Sequence, residues 1–308
     1  MIRSLIYIHK YKEAMRSLFL LAFVIVACQQ VPVYGGSLHF SGESALELVE
    51  EQMTFGPRFP GSSGHAITQE WIVEELTRLG WEVERQRFDH RGKALMNIIA
   101  SPNVEVGSER IVLGAHYDTR QFADRDPQDQ TQAVPGANDG ASGVAVLLEL
   151  ARIYAKTPPL EIILVFFDGE DQGHIDDWDW SVGSRYFVEH FDSEISAAII
   201  VDMVGDRDLS LPYELSSDPD LVQSIWQTAL DLGSSAFVSE PGPSLIDDHI
   251  PFRQYGIPAV DIIDFTYPYW HTSTDQLDKI SADSLHQVGA TLEAWINKRA
   301  SVEIESTQ

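Results

Sequence analysis

Short apolar runs that alternate with helical segments constrain the fold of this chain most strongly. Four runs, RIVLGA, LEIILVFF, AAIIV and IPAVDII, have the length and β-branched content of strands that are covered on both faces. Between and after them, apolar residues recur at helical spacing over residues 143–156, 220–232 and 282–298. Strands that alternate with helices predict an α/β fold, a three-layer α/β/α sandwich with a mixed, mostly parallel central sheet.

The N-terminus has the pattern of an export signal. The apolar run over residues 17–27 follows four basic residues and is too short for a conventional transmembrane helix. It ends next to Cys28, the only cysteine, in a pattern that resembles a bacterial lipobox. We therefore expect a lipoprotein signal peptide over 1–27, a tether over 28–42 and a single domain over 43–308. The lipid on Cys28 would be the only membrane contact, at the bacterial cell envelope; ordinary cleavage to a secreted soluble protein is the alternative.

The exported chain would be strongly acidic. Loss of residues 1–27 removes four of the 21 basic and one of the 47 acidic residues, which leaves a formal net charge of −29. A nucleic-acid partner is excluded because phosphates would be repelled. No cysteine follows Cys28, so neither disulfides nor thiolate ligands are available within the domain. A metal ion there would need imidazole and carboxylate ligands.

Acidic and histidine side chains follow the predicted strands at the points where these strands end. In such sheets, functional groups gather beyond the carboxyl ends of the strands. Carboxylates gathered there would repel one another unless a cation neutralised them. Imidazoles mixed with carboxylates indicate a catalytic zinc site with an open position. The residues concerned are His116, Asp118, Asp139, Asp168, Glu170, Asp171, Asp202 and His271. Among them, the Asp118 carboxylate is expected to orient the His116 ring from behind.

Six motifs in the order GAHYDT, VPGANDGASG, FFDGED, VDMVG, DDHIPF and YWHTSTD resemble those of the zinc aminopeptidase and glutaminyl cyclase family. The likeness covers nearly the whole exported chain and implies a zinc-exopeptidase-like fold. It implies that Asp139, Asp171 and His271 bind one Zn²⁺ and that the peptide bond after Asp139 is cis. It also implies that His116 and Asp202 complete a second metal position, so one or two zinc ions are expected.

The same resemblance implies a catalytic acid network. Glu170 would be the general base, and in the cyclases of this family Asp202 and Asp247 would share protons with it. Trp270, which precedes the ligand His271, would wall a substrate pocket.

Other aromatic residues are candidates for the lining of that pocket. They are Tyr267 and Trp178, with Trp180 as the alternative to Trp178.

Two reactions on peptide or protein N-termini remain open. Glutaminyl-peptide cyclotransfer, which converts N-terminal Gln to pyroglutamate with release of ammonia, is favoured by Trp270 and the acid network. Zinc aminopeptidase activity is favoured by the complete second metal position. It is also favoured by Asp171 and Ile246, which stand where animal cyclases carry Glu and a polar residue.

A non-enzymatic, metal-binding surface module is a remote alternative that rests on the acid-rich runs FADRDPQDQ and DDWDW. A serine hydrolase built on Ser142 lacks the G-x-S-x-G turn. The oligomeric state has no signal in the sequence.

Overall fold

A twisted six-stranded sheet carries the fold. The computed structural model describes residues 37–102, 109–156 and 158–306. The predicted signal peptide, Cys28 and most of the predicted tether lie outside the described residues. The strands are β1 (Glu82–His90), β2 (Lys93–Ser101), β3 (Arg110–His116), β4 (Glu161–Phe167), β5 (Ala197–Asp202), β6 (Leu211–Tyr213), β7 (Phe237–Pro241) and β8 (Ala259–Ile263).

The central sheet is mixed and mostly parallel, as predicted. Its order is β1-β2-β4-β3-β5-β8, and β6 and β7 form a separate two-stranded sheet. Strands β4, β3, β5 and β8 are parallel, whereas β2 is antiparallel to both β1 and β4. In this register Gly114 of β3 lies opposite Val165 of β4 and Ile200 of β5. The parallel strands therefore all end at the same edge.

Helices cover both faces of the sheet and complete the three layers. The helices are α1 (Gly42–Thr54), α2 (Ser63–Leu79), α3 (Ala141–Tyr154), α4 (Val182–His190), α5 (Pro219–Asp231), α6 (His249–Gln254) and α7 (Ala282–Ser306). The face formed by Leu113 and its neighbours packs against α1, α2, α3, α5 and α7. The opposite face, with Val112 and Phe167, packs against Phe187 of α4 and Phe252 of α6.

The helix ends follow from local chemistry. The Ser62 hydroxyl accepts the backbone N–H of His65 at the start of α2, and Gly80 ends that helix with a left-handed φ of 94°. Asp218 caps α5, which has a proline in its first turn.

The packed body begins before residue 43. The Glu293 carboxylate of α7 accepts the backbone N–H groups of His39 and Phe40, and the Phe40 ring is buried. These residues are anchored by contacts that the sequence pattern did not indicate, so the predicted tether over 28–42 is too long at its C-terminal end. Within the described ranges, no helix combines the length and the apolar character needed to span a bilayer.

Candidate metal centre

The strand ends and two loops bring five of the predicted residues into two adjacent groups at the carboxyl edge of the sheet, and Glu170 lines the same cavity. His116 ends β3 and Asp202 ends β5, while Glu170 and Asp171 follow β4. The loops before α3 and after β8 add Asp139 and His271. The first group is Asp139, Asp171 and His271; the second is His116, Asp139 and Asp202.

The first group has the donors of a cation site. His271 Nε2 lies 2.9 Å from Asp171 Oδ1 and 3.9 Å from Asp139 Oδ2. All three side chains are buried, and Oδ2 of both aspartates has no hydrogen-bond partner. Two buried, unpaired carboxylate oxygens beside an imidazole are costly without a cation. The set of one imidazole and two carboxylates fits zinc.

The second group shares Asp139 with the first. His116 Nε2 lies 3.2 Å from Asp139 Oδ1 and 3.1 Å from Asp202 Oδ1. Asp139 thus directs one oxygen toward each group and could supply a ligand atom to either. The peptide bond between Asp139 and Gly140 is cis. A Cβ at Gly140 would lie 2.5 Å from the carbonyl oxygen of His116, so this close approach needs glycine.

Asp118 supports the centre differently from the prediction. Nδ1 of His116 lies 3.1 Å from the backbone carbonyl of Asp118, whereas the nearest Asp118 carboxylate oxygen is 3.7 Å away. The carboxylate instead accepts the backbone N–H groups of Gly169 and Glu170 and the side-chain amide of Gln172. The chain leaves the strand after His116, so the two side chains do not stay on one face. The backbone carbonyl of Asp118 therefore orients the His116 ring. Its carboxylate orients the loop that follows β4.

Asp168, the first acid after β4, does not join the centre. Its carboxylate lies 2.8 Å from Nε2 of His65 and accepts the backbone N–H of Met96. It ties α2 to β2 and is a structural residue.

A carboxylate behind His271 was missed by the sequence reasoning. Asp124 Oδ1 lies 3.0 Å from Nδ1 of His271, and Arg120 donates to the other Asp124 oxygen. Metal-ligating histidines commonly donate their second ring N–H to a carboxylate in this way. The only signal for it is the acid-rich run FADRDPQDQ, on which the surface-module alternative rests. The Asp124 carboxylate fixes the His271 ring so that Nε2 faces Asp139 and Asp171.

Asp275 fixes the backbone of the loop that carries Asp139 and binds the hydroxyl of Tyr267. The Asp275 carboxylate accepts the backbone N–H groups of Asn138 and Asp139 and the Tyr267 hydroxyl, the last at 2.7 Å. Tyr267 is buried behind the cavity and does not line it, so its predicted place in the pocket is corrected. Asp275 ends the YWHTSTD motif, which was the available signal for it.

Arg58 supports the same loop from the other side. The buried guanidinium donates to the backbone carbonyls of Tyr117, Pro135 and Gly136. Burial lowers the pKa of Arg58 to about 10, so it still places a positive charge near the carboxylates at neutral pH. Arg58 lies in the segment GPRFPGSSG, upstream of the six motifs.

The acids beside the metal groups compete for protons. Burial, and next the charge of Asp247, raise the pKa of Glu170 well above its ordinary value. Burial and the charge of Asp202 do the same for Asp247. Burial and Asp139 raise the pKa of Asp171 to about 6. These groups cannot all carry a charge at neutral pH without a cation, and Glu170 is placed to hold and release a proton.

A cavity of about 220 Å³ opens onto these groups. Trp270 and Trp180 both approach the His271 ring, with centroids at 3.9 Å and 6.0 Å. Trp178 does not line the cavity but packs with Phe88 and neighbours in a separate cluster, so Trp180 replaces it in the predicted lining. The lining residues are Asp139, Glu170, Asp171, Trp180, Asp202, Met203, Ser244, Leu245, Ile246, Asp247, Ile263, Phe265, Trp270 and His271.

Comparisons with known proteins agree with this geometry. The family model of peptidase family M28 matches residues 97–296. Glutaminyl-peptide cyclotransferase of Drosophila melanogaster is 29% identical over 275 residues, 74% of either chain. The crystal structure of Porphyromonas gingivalis glutaminyl cyclase is 36% identical with a TM-score of 0.80, over 85% of this chain and 100% of that one. A Zn-dependent exopeptidase from Parabacteroides distasonis is 31% identical with a TM-score of 0.78, over 83% and 98%.

Proposed function

Because the chain belongs to peptidase family M28, we propose that it is an enzyme of peptide N-termini that cyclises N-terminal glutamine to pyroglutamate. In this reaction the α-amine nitrogen attacks the side-chain amide carbon, and ammonia leaves. The names of the cyclase relatives support the reaction, and the cavity supports it independently.

Asp139, Asp171 and His271 would hold a zinc ion, as their unpaired oxygens and shared orientation suggest. Zinc bound there would polarise the side-chain carbonyl of the substrate as a Lewis acid. Asp124 keeps the His271 ring in place, and Asp275 holds the backbone on either side of Asn138.

Glu170 carries the proton in this proposal. Its carboxylate takes a proton from the α-amine as the new C–N bond forms and gives it to the leaving amide nitrogen, which departs as ammonia. The raised pKa of Glu170 suits both directions of transfer. Asp247 and Asp202 line the same cavity and share the negative charge with Glu170.

The observation that carries the proposal is the small cavity that Glu170, the metal groups and the indole rings of Trp180 and Trp270 line together. Its volume of about 220 Å³ is below the 300–1,000 Å³ or so of ordinary ligand pockets, and it suits one side chain. The ring of Trp270 packs against that of Phe265, with 4.8 Å between the ring centroids, so the wall that these two residues form is apolar. An apolar wall in a cavity that the acids also line would hold the glutamine side chain bent toward its own amine.

Aminopeptidase activity is the second candidate function. The His116, Asp139 and Asp202 group supports it, because a second metal position beside the first suits activation of a water molecule. In that reaction Glu170 would take a proton from water, and the first peptide bond would be cleaved.

Substrates of matched length separate the two reactions. The purified protein is incubated with peptides that differ only in an N-terminal Gln, Asn or Leu, and the products are followed by mass spectrometry and an ammonia assay. We expect ammonia from the Gln peptide alone, without shortening of any peptide. Asn is the matched control because its shorter side chain cannot form the five-membered ring.

The reverse outcome would refute cyclisation. Release of free leucine, or of glutamine and asparagine alike, identifies an aminopeptidase. Glu170→Gln should abolish whichever product appears, which shows that the product arises at this site.

A further inference from the structure

A second buried cluster of acids lies behind the cavity, centred on His249. His249 begins α6, Asp261 lies in the middle of β8, and Glu214 follows β6. Asp247 precedes α6 and connects the cluster to the cavity. All four side chains are buried, and His249 and Asp261 have no exposed surface at all. The proposed reaction leaves Glu214, His249 and Asp261 without a role.

Glu214 fixes the tautomer of His249. Nε2 of His249 lies 3.2 Å from Glu214 Oε2 and 3.1 Å from the Ser216 hydroxyl. The Glu214 carboxylate also accepts the backbone N–H of Leu245 and the Ser217 hydroxyl. A carboxylate only accepts hydrogen bonds, so the ring proton belongs on Nε2. This leaves a lone pair on Nδ1.

The Nδ1 side of the ring faces Asp261 across a gap. Nδ1 lies 3.6 Å from Asp261 Oδ2, which is too far for a hydrogen bond. Nδ1 and both Asp261 oxygens are buried without any hydrogen-bond partner. In the described ranges, no lysine or arginine forms an ion pair with Glu214, Asp247 or Asp261. Three unpaired acceptor atoms therefore face one another in the core.

We propose that Asp247, His249 and Asp261 bind a further divalent metal ion, of the kind that takes mixed imidazole and carboxylate ligands. Their ligand atoms lie within 4.8 Å of one another. Two ligands on one tetrahedral zinc ion lie about 3.4 Å apart when each bond is about 2.1 Å, and the gap at Asp261 is close to this. Glu214 then completes the carboxylate–histidine–metal arrangement that orients imidazole ligands.

A proton is the simplest rival occupant, and it leaves the cluster poorly satisfied. A proton on Nδ1 would have to reach across 3.6 Å to Asp261 Oδ2. Asp261 Oδ1 would still be unpaired. A metal ion binds the unpaired atoms of both His249 and Asp261 and so links α6 to β8 directly behind Asp247. Its role is to stabilise the inner end of the cavity.

Crystals of the zinc-loaded wild-type protein test the inference directly. Diffraction on either side of the zinc absorption edge should give an anomalous difference peak between Asp247, His249 and Asp261, besides any at the catalytic centre. Absence of that peak, with or without density for a water molecule there, overturns the inference in favour of a proton. This measurement needs no variant to fold.

Metal analysis of folded variants gives a second test. Asp261→Asn should contain one equivalent of zinc less than the wild type, and His271→Ala should retain that equivalent. Asp264→Asn is the matched control, because Asp264 is a buried acid of the next turn whose oxygens already accept from Ser210 and Thr266. Equal zinc content in Asp261→Asn and the wild type contradicts the site.

Discussion

Asp124 offers the sharpest test of how the metal centre is held. Its Oδ1 accepts from Nδ1 of His271 at 3.0 Å, and His271 is the ligand that faces both Asp139 and Asp171. The Asp124 carboxylate touches none of the other proposed ligands. Asp124→Asn keeps an acceptor oxygen of the same shape and removes the charge, so it tests the carboxylate itself. We expect weaker zinc binding in a protein that remains folded.

The expected loss can be estimated from the position of the residue. Removal of a carboxylate behind a ligating histidine costs about 10- to 100-fold in metal affinity. The Asp124 side chain is 43% exposed, so water partly screens its charge. The loss should therefore lie at the lower end, about tenfold or ~1.4 kcal/mol. Arg120 keeps its bonds to the carbonyls of Asp171 and Gly173, so the loop stays in place.

Competition with a chromophoric chelator measures the affinity. The matched control is Asp129→Asn, in the same loop, whose carboxylate bonds Thr131 and Gln132 and does not touch His271. We expect wild-type affinity for the control and about tenfold weaker binding for Asp124→Asn. Equal zinc affinity in both variants would show that Asp124 does not support His271.

Three further predictions address turnover, the pocket wall and pH. Glu170→Gln should keep its zinc content and lose about 100-fold or more in kcat; near-normal turnover would remove Glu170 as the proton carrier. Trp270→Ala should raise KM for the Gln peptide about tenfold by loss of apolar contact, with unchanged zinc content, and an unchanged KM would place the substrate elsewhere. Burial lowers the pKa of His65, but the Asp168 carboxylate outweighs it and the pKa is raised. The free energy of unfolding should therefore fall as the pH rises past about 6.5 through the raised pKa. Urea unfolding at about pH 6 and pH 9 should show a smaller fall in His65→Gln, and an equal fall would exclude His65 as the source.

Part of the candidate metal centre could be predicted because strand ends are visible in a sequence, whereas the ligand roles of Asp139 and His271, which lie in loops, rested on the family resemblance. Each apolar run stops where the chain leaves the core, and parallel strands stop at the same edge. His116 and Asp202 are the last residues of β3 and β5, as this pattern implies. Strand β2 was missed since KALMNIIAS has no clear alternation and carries a buried Asn97. The Asn97 amide donates to Gln86 across the β1–β2 hairpin and to the backbone carbonyl of Gly183, which is 86 residues away.

The direction of side chains within loops could not be predicted. Trp178 and Trp180 are separated by one residue, yet Trp178 packs beside Phe88 and Trp180 lies over Arg120. The residues on either side of the two tryptophans, Asp177 and Ser181, have positive φ, and no repeating pattern sets the course of this loop. Tyr267 likewise turned inward because Asp275 offers its hydroxyl a buried acceptor.

The partners of each carboxylate, rather than its position in the sequence, decide which acids need a cation. Burial raises the pKa of Asp118, but contacts with His116 and the Gln172 amide outweigh it, so the net shift is downward. Asp118 therefore remains charged without a metal. Asp171 follows the neighbouring strand β4, yet its Oδ2 is unpaired and its pKa is raised to about 6. Both acids are buried at one sheet edge. The charge of Asp118 is compensated by its protein partners, whereas the charge of Asp171 needs an ion to neutralise it. Replacement of Asp118 should therefore disturb the β4 loop, whereas replacement of Asp171 should remove the metal.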